Sequence, residues 1–196
     1  MINYVLLVSR QGKLRLAKWF VPLSAKAKAK IVQDVSQLAL NRRPRMCNFL
    51  DYKGTMIMRL STLLSSPTSL NVPGKKIVYR RYASLFFICE IDDEDNELVT
   101  LEVLHRYVEA LDQYFGNVNY ASSVNHITGI DMNFCQVCEM DLIFNFQKAY
   151  AVLDELVMAG EVQEPSKNTV IQMAKSCDQW EQNDQIRFAI EDAYLV

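Results

Sequence analysis

Glycine is scarce in this sequence and histidine scarcer. The six glycines among 196 residues are scattered. None forms a Gly-x-Gly-x-x-Gly turn or a phosphate-binding loop, which excludes the common nucleotide cradles. No Gly-x-Ser-x-Gly elbow offers a nucleophile. The two histidines, His105 and His126, stand 21 residues apart with no ligand pattern around them, so a structural or surface role is expected. No apolar run reaches the roughly 20 residues that a membrane-spanning helix needs. The opening Met1-Ile2-Asn3-Tyr4-Val5 lacks a basic stretch and a small-residue cleavage site, so no signal peptide is expected. Neither a myristoylation start nor a prenylation end is present. Work at a membrane would then go through partners or surface charge.

The cysteines number five: Cys47, Cys89, Cys135, Cys138 and Cys177. An odd count without a secretion signal points to reduced thiols in the cytoplasm. Cys89, inside an apolar run, is a small core residue. Cys135-Gln136-Val137-Cys138 is the one sharp chemical signal, since a Cys-x-x-Cys can poise a thiol or supply half a zinc site. No second pair completes a zinc site, and the pair does not open a helix after a first strand. A thiol-redox or zinc protein is therefore the rival reading, with no metal or other cofactor expected. Asp154, Glu155, Glu161 and Glu164 read as a solvated face. Nothing here indicates an enzyme.

Half of the chain is hydrophobic and 22% is charged, enough to bury a sizeable core. The net charge of −2 conceals an asymmetry: residues 1–81 hold 16 Lys/Arg against two acids, and residues 82–196 hold five against 21. A basic half raises nucleic acid or anionic membrane as partners. Without zinc-finger spacing, a helix-turn-helix signal or an RNA-stacking motif, nucleic acid is not expected. Packing of the two halves would largely cancel their fields.

Ile2 to Ser9 is short, apolar and β-branched, which predicts a central strand. After the Gln11-Gly12 turn signal, Lys13 to Phe20 predicts its hairpin partner, with Leu14 and Leu16 on one face and Arg15 on the other. Ser24 caps a helix over Ala25 to Asn41, stopped by Pro44, and Met46 to Lys53 returns to strand composition. Lys76 to Ile91 is too long for one strand and predicts two, with a turn near Ala83-Ser84. The acidic run Asp92 to Asn96 then leads into a helix carrying Leu98, Leu101, Leu104, Val108, Leu111 and Phe115 on one side. A second helix is predicted from Asp141 to Ala159, with Ile143, Phe146, Tyr150, Leu153 and Val157, ended by Gly160. A third starts near Ser166 and carries Val170, Met173 and Cys177. Strands followed by helices imply an α+β domain with helices packed on a sheet.

Ile77-Val78-Tyr79-Arg80-Arg81-Tyr82-Ala83-Ser84-Leu85-Phe86-Phe87 resembles the signature of clathrin adaptor small (sigma) chains, with Phe86 in place of the usual Tyr. Ser9 to Lys13 and Arg15 to Trp19 resemble the family's opening hairpin. Asp95 to Leu98, His105 to Glu109 and Asp112 to Phe115 resemble its middle. Cys138 to Phe146, Lys148 to Tyr150, Leu153 to Glu155 and Ala159 to Glu161 resemble its helical end. The details look most like the type 1 complex of the trans-Golgi network and endosomes, with the plasma-membrane endocytic complex as the near alternative.

The resemblance implies a longin-like α+β fold, a five-stranded antiparallel sheet flanked by helices, in a single domain. It implies a heterotetramer with large gamma-type and beta-type chains and a medium mu-type chain, linked indirectly to the clathrin coat. It also implies cytoplasmic, peripheral placement on Golgi and endosome membranes and coated vesicles. The function implied is binding of acidic dileucine signals in cargo tails. Arg15 would meet the acid of the signal. Ala83, Leu85, Val108, Val118, Met140 and Leu142 would line an apolar hollow for the leucines, with Asn117 at its edge. Spacing alone makes Leu85, Val108 and Leu142 plain core.

Two stretches do not resemble the family: about 55–74, rich in Ser and Thr, and 119–137. They read either as retained intron sequence or gene-model errors, or as genuine loop insertions, which cost little closure entropy at exposed turns. A helical, acidic tail is expected from about residue 165.

Overall fold

The computed structural model describes residues 1–43, 46–52, 74–119 and 139–194, with backbone alone at 117–119, 188, 189 and 191–194. Both non-family stretches lie outside the described residues, Gly74 and the backbone of Asn119 excepted, and Pro44 lies outside them too.

The fold is α+β. Five strands, β1 (Ile2–Ser9), β2 (Leu14–Trp19), β3 (Phe49–Tyr52), β4 (Lys75–Tyr82) and β5 (Leu85–Asp92), pair antiparallel in the order β2-β1-β5-β4-β3. Every residue of β1 is buried. Its pleat sends alternate side chains to opposite faces, and a separate core forms on each. Ile2, Val5 and Leu7 join Val78, Leu85, Phe87 and Cys89 on one face. Tyr4, Leu6 and Val8 join Ile77, Tyr79 and Ile88 on the other. Burial pushes the Cys89 thiol far above its usual range, in keeping with a plain core residue.

The smaller core is covered by α1 (Ala25–Leu40), through Val35 and Ala39. The Ser24 side chain accepts from the Ala27 N–H at 3.3 Å, and Asn41 closes the helix. The helix thus ends at its Asn cap, ahead of the predicted proline stop. The larger core is covered by α2 (Glu97–Asn119), α4 (Phe146–Leu156) and the first turns of α5 (Lys167–Tyr194). Between α2 and α4 lies the short α3 (Glu139–Phe144).

The helical half departs from the predicted faces. Leu98, in the first turn of α2, is 67% exposed, and the buried stripe is Leu104, Tyr107, Val108, Leu111 and Phe115. The helix predicted over Asp141 to Ala159 breaks at Asn145, a poor helix former whose φ and ψ of −123° and 39° leave the helical region. On α4 the buried residues are Ala149, Val152, Leu153 and Leu156, with Phe146 exposed. Gly160 does not cap that helix. Ala159 (φ 52°) and Gly160 (φ 84°) make the two-residue turn between β6 (Val157–Met158) and β7 (Glu161–Val162), the I′ geometry that favours glycine. On α5, Val170, Ile171 and Ala174 face the core, whereas Met173 and Cys177 are exposed.

Ion pairs such as Lys75–Glu90 join the basic half of the chain to the acidic half, and the remaining charge is sorted along the strands. The β1–β2 turn carries Arg10 and Lys13, and the Arg10 N–H bonds the Ser84 carbonyl of the β4–β5 turn at 3.0 Å. Arg80 and Arg81 lie just ahead of that second turn. A Cβ on Gly12 would touch Leu40 Cδ1 at 3.4 Å, which brings the end of α1, with Arg42 and Arg43, to the same rim. Asp92, Asp93, Glu94, Asp95 and Glu97 sit at the opposite rim. There Lys76 pairs with Asp93 (3.2 Å) and Glu97 (2.8 Å), and its hydrogen bond holds the Glu97 carboxyl below the usual range.

Gly160 sits against β1, and the Ile2 N–H donates to its carbonyl at 2.9 Å. A Cβ at Gly160 would lie 2.3 Å from the Ile2 carbonyl oxygen, where only backbone displacement can make room. Gly160→Ala should destabilise the fold by about 1–3 kcal/mol. Gly12→Ala shares the positive φ but meets only a side-chain methyl, and should lose less. Denaturation midpoints of the two variants check the order.

Candidate functional site

Arg15 owes its position to an irregularity in the β1–β2 ladder. Leu7 pairs with Leu16 and Val8 with Leu14, so Arg15 has no partner on β1. Such a bulge twists the strand and re-aims a side chain. It also corrects the simple alternation: Leu16 is buried, but Leu14 is 41% exposed rather than beside it in the core. Arg15 reaches α3, where Nε donates to Glu139 Oε1 at 2.8 Å and Nη2 donates to the same oxygen. The Arg15 and Glu139 side chains are only 22% and 26% exposed.

The site-facing strand is tied to α4 as well. The Tyr150 hydroxyl donates to the Ala17 carbonyl (3.2 Å) and receives the Ala17 N–H (3.1 Å), and Lys18 pairs with Asp154 at 2.7 Å. Across the core, the buried Tyr107 hydroxyl donates to the Ala149 carbonyl at 2.9 Å, fixing α2 to α4.

The predicted hollow residues divide. Leu85, Val108 and Leu142 are fully buried in one core cluster. Ala83 is exposed at the β4–β5 turn with φ 48°, and Met140 is 53% exposed. Asn117 and Val118 lie on α2, and their side chains fall outside the described residues. Cys135 and Cys138 lie outside them altogether. Among the described residues, no group of three His, Cys, Asp or Glu could hold a metal, and no helix is long and apolar enough to cross a membrane.

A cavity of about 150 Å³ opens at the other end of the sheet, lined by Ile2, Ile91, Val99 and Val103 with Asp95 and Glu161. Both of its carboxylates already face the ammonium of Met1, which also lines it. His105 accepts or donates at Nδ1 with the Tyr82 hydroxyl (3.1 Å) and stacks on that ring, a structural contact as expected.

The clathrin adaptor complex small chain model matches residues 1–64, 65–131 and 122–181. The chain belongs to this family. The breaks between the three matched pieces fall inside the two stretches that do not resemble it. The small chain is 51% identical over 170 residues to the AP-1 complex subunit sigma-1 of Schizosaccharomyces pombe, covering 87% of this chain and 81% of that one. It is 45% identical to the AP-1 complex subunit sigma-2 of Arabidopsis thaliana (91% and 86% covered). It is 41% identical to the human AP-1 complex subunit sigma-1A (94% and 92% covered). A chain of a homology model of the full-length AP-3 complex in a stretched open conformation superposes with a TM-score of 0.60 at 26% identity, covering 95% of this chain and 99% of that one. The five-stranded antiparallel sheet and its helices are thus those of the longin-like adaptor small chains.

Sequence reasoning missed two residues of this small chain that the structure makes prominent. Glu139 lies inside a stretch quoted for the resemblance, but no spacing rule pairs it with Arg15, 124 positions away. Apolar spacing puts Tyr150 on a helical face, and only the folded geometry shows its hydroxyl on the edge of β2. Tyr150→Phe removes both bonds to Ala17 and should cost about 1–2 kcal/mol. Faster amide exchange confined to β2 in hydrogen-exchange mass spectrometry would show the loosened edge.

Proposed function

We propose that this chain is the small subunit of a heterotetrameric type 1 clathrin adaptor, a non-catalytic binding subunit. It sits in the cytoplasm on trans-Golgi network and endosome membranes and helps recognise acidic dileucine signals in cargo tails. Its partners are the gamma-type and beta-type large chains and the mu-type medium chain, with clathrin engaged indirectly. The observation that carries this reading is the likeness, over most of both chains, to the AP-1 sigma subunits of a yeast, a plant and a human. Those names favour the type 1 complex over the endocytic one. The chain is one longin-like domain, with insertions at about 55–74 and 119–137 and a helical tail from about 165.

The chemistry of recognition is side-chain readout. An extended peptide sets two adjacent leucines into an apolar hollow, and Arg15 meets the acid upstream. Ala83, Leu85, Val108, Val118, Met140 and Leu142, with Asn117 at the edge, are the proposed lining. Leu85, Val108 and Leu142 are closed into the core here, so binding includes an opening of the wall they share.

Large apolar side chains stay exposed on several helices: Leu98, Phe144, Phe146 and Trp180, the last 73% exposed. Such surface calls for a partner. The isolated chain should be poorly soluble and rescued by co-expression with a gamma-type large chain. A monodisperse monomer that ignores that chain in pull-downs refutes the assembly.

Arg15 acts through charge more than through fold. In the assembled complex, Arg15→Ser should weaken an acidic dileucine peptide several-fold in a fluorescence-anisotropy titration while shifting the melting temperature little, since the partly shielded Arg15–Glu139 pair that it gives up is worth no more than about 1 kcal/mol. Equal loss of binding and stability would make Arg15 structural.

A further inference from the structure

We propose that Glu139 is a specificity-determining residue that sets how strongly the acid of a signal peptide is read. The inference rests on the reading of Arg15 as the acid-binding residue. Without a ligand, Arg15 is already neutralised: two of its donors meet the single oxygen Oε1 of Glu139, at 2.8 Å from Nε. The pair is about three-quarters shielded from water on each side, so solvent screens it less than an exposed pair. The bulge in β2 aims the arginine. Glu139 lies in the first turn of α3, one turn ahead of the buried Leu142.

A guanidinium carries five N–H donors, and Glu139 takes two of them. An incoming carboxylate therefore finds donors to bond. It does not find a free cation, because a second carboxylate lies within hydrogen-bond distance of the same arginine. Attraction to Arg15 and repulsion by Glu139 oppose each other, and the preference for an acidic over a neutral signal is held below what arginine alone would give. Removing the charge at Glu139 while keeping its shape and its accepting oxygen leaves Arg15 in place and unmasks it.

The test uses the assembled complex and two dileucine peptides that differ only by Glu or Gln at the acidic position. Glu139→Gln should tighten the Glu peptide roughly two- to five-fold, the range of a partly screened ion pair, and leave the Gln peptide within about two-fold. The gain should be steepest at low salt and vanish in an Arg15→Ser background. Glu139→Asp, one methylene shorter, should give a smaller gain and serves if the Gln variant fails to assemble. An unchanged ratio of the two affinities in Glu139→Gln overturns the proposal while Arg15→Ser still weakens the Glu peptide. A lowered ratio also overturns it and makes Glu139 a residue that holds Arg15 in its binding pose. If Arg15→Ser alters neither peptide, the dileucine reading and this proposal fall together.

Discussion

Burying β1 on both faces is the constraint from which the architecture descends. A strand whose every side chain leaves water needs two hydrogen-bonded neighbours and a cover on each side. The neighbours are β2 and β5. The covers are α1 on one face and the packed α2, α4 and α5 on the other. Full burial of a Leu, Val or Phe side chain contributes about 1.5–3 kcal/mol, and Leu6, Leu7, Val8 and Phe87 are all completely enclosed. The site inherits its geometry from that strand: Arg15 stands on β1's hairpin partner, and Leu85 opens the strand on β1's other side.

The strands were legible because their signals are local. A β-branched apolar run, Gln11-Gly12 and the turn at Ala83-Ser84 mark boundaries that need no tertiary information. The helices were less so. Periodicity alone put Leu98, Phe146 and Met173 in the core, yet each is exposed, because which stripe of a helix is buried depends on where its neighbours stand. Asn145 and the Ala159-Gly160 turn cut one predicted helix into α3, α4 and a small hairpin, and in both places local backbone chemistry prevails over apolar spacing. Among the proposed site residues, Leu85, Val108 and Leu142 were indistinguishable from core by spacing and are core in the folded chain. Arg15 was legible as a charge on a wet strand. Its bulge and its bond to Glu139 arise from pairing across the fold and leave no trace in spacing.

Charge polarity along the strands gives the domain two unlike rims. Arg10, Lys13, Arg42, Arg43, Arg80 and Arg81 crowd the rim nearest Arg15, and the Asp92 to Glu97 run occupies the other. An acidic ligand approaching from solution is thereby drawn to the end of the sheet where Arg15 lies, before any short-range contact forms.

The Tyr150 hydroxyl has a consequence for what kind of ligand this edge admits. Edge strands present unpaired amides and carbonyls on which any extended chain can build another strand. At Ala17 both groups are already taken by one phenol. The outer margin of β2 is therefore a poor template for β-augmentation by passing peptides or by other copies of the same sheet. Under the proposed reading, a ligand at this edge would be met by side-chain chemistry, and the same plug guards a sheet edge against edge-to-edge aggregation.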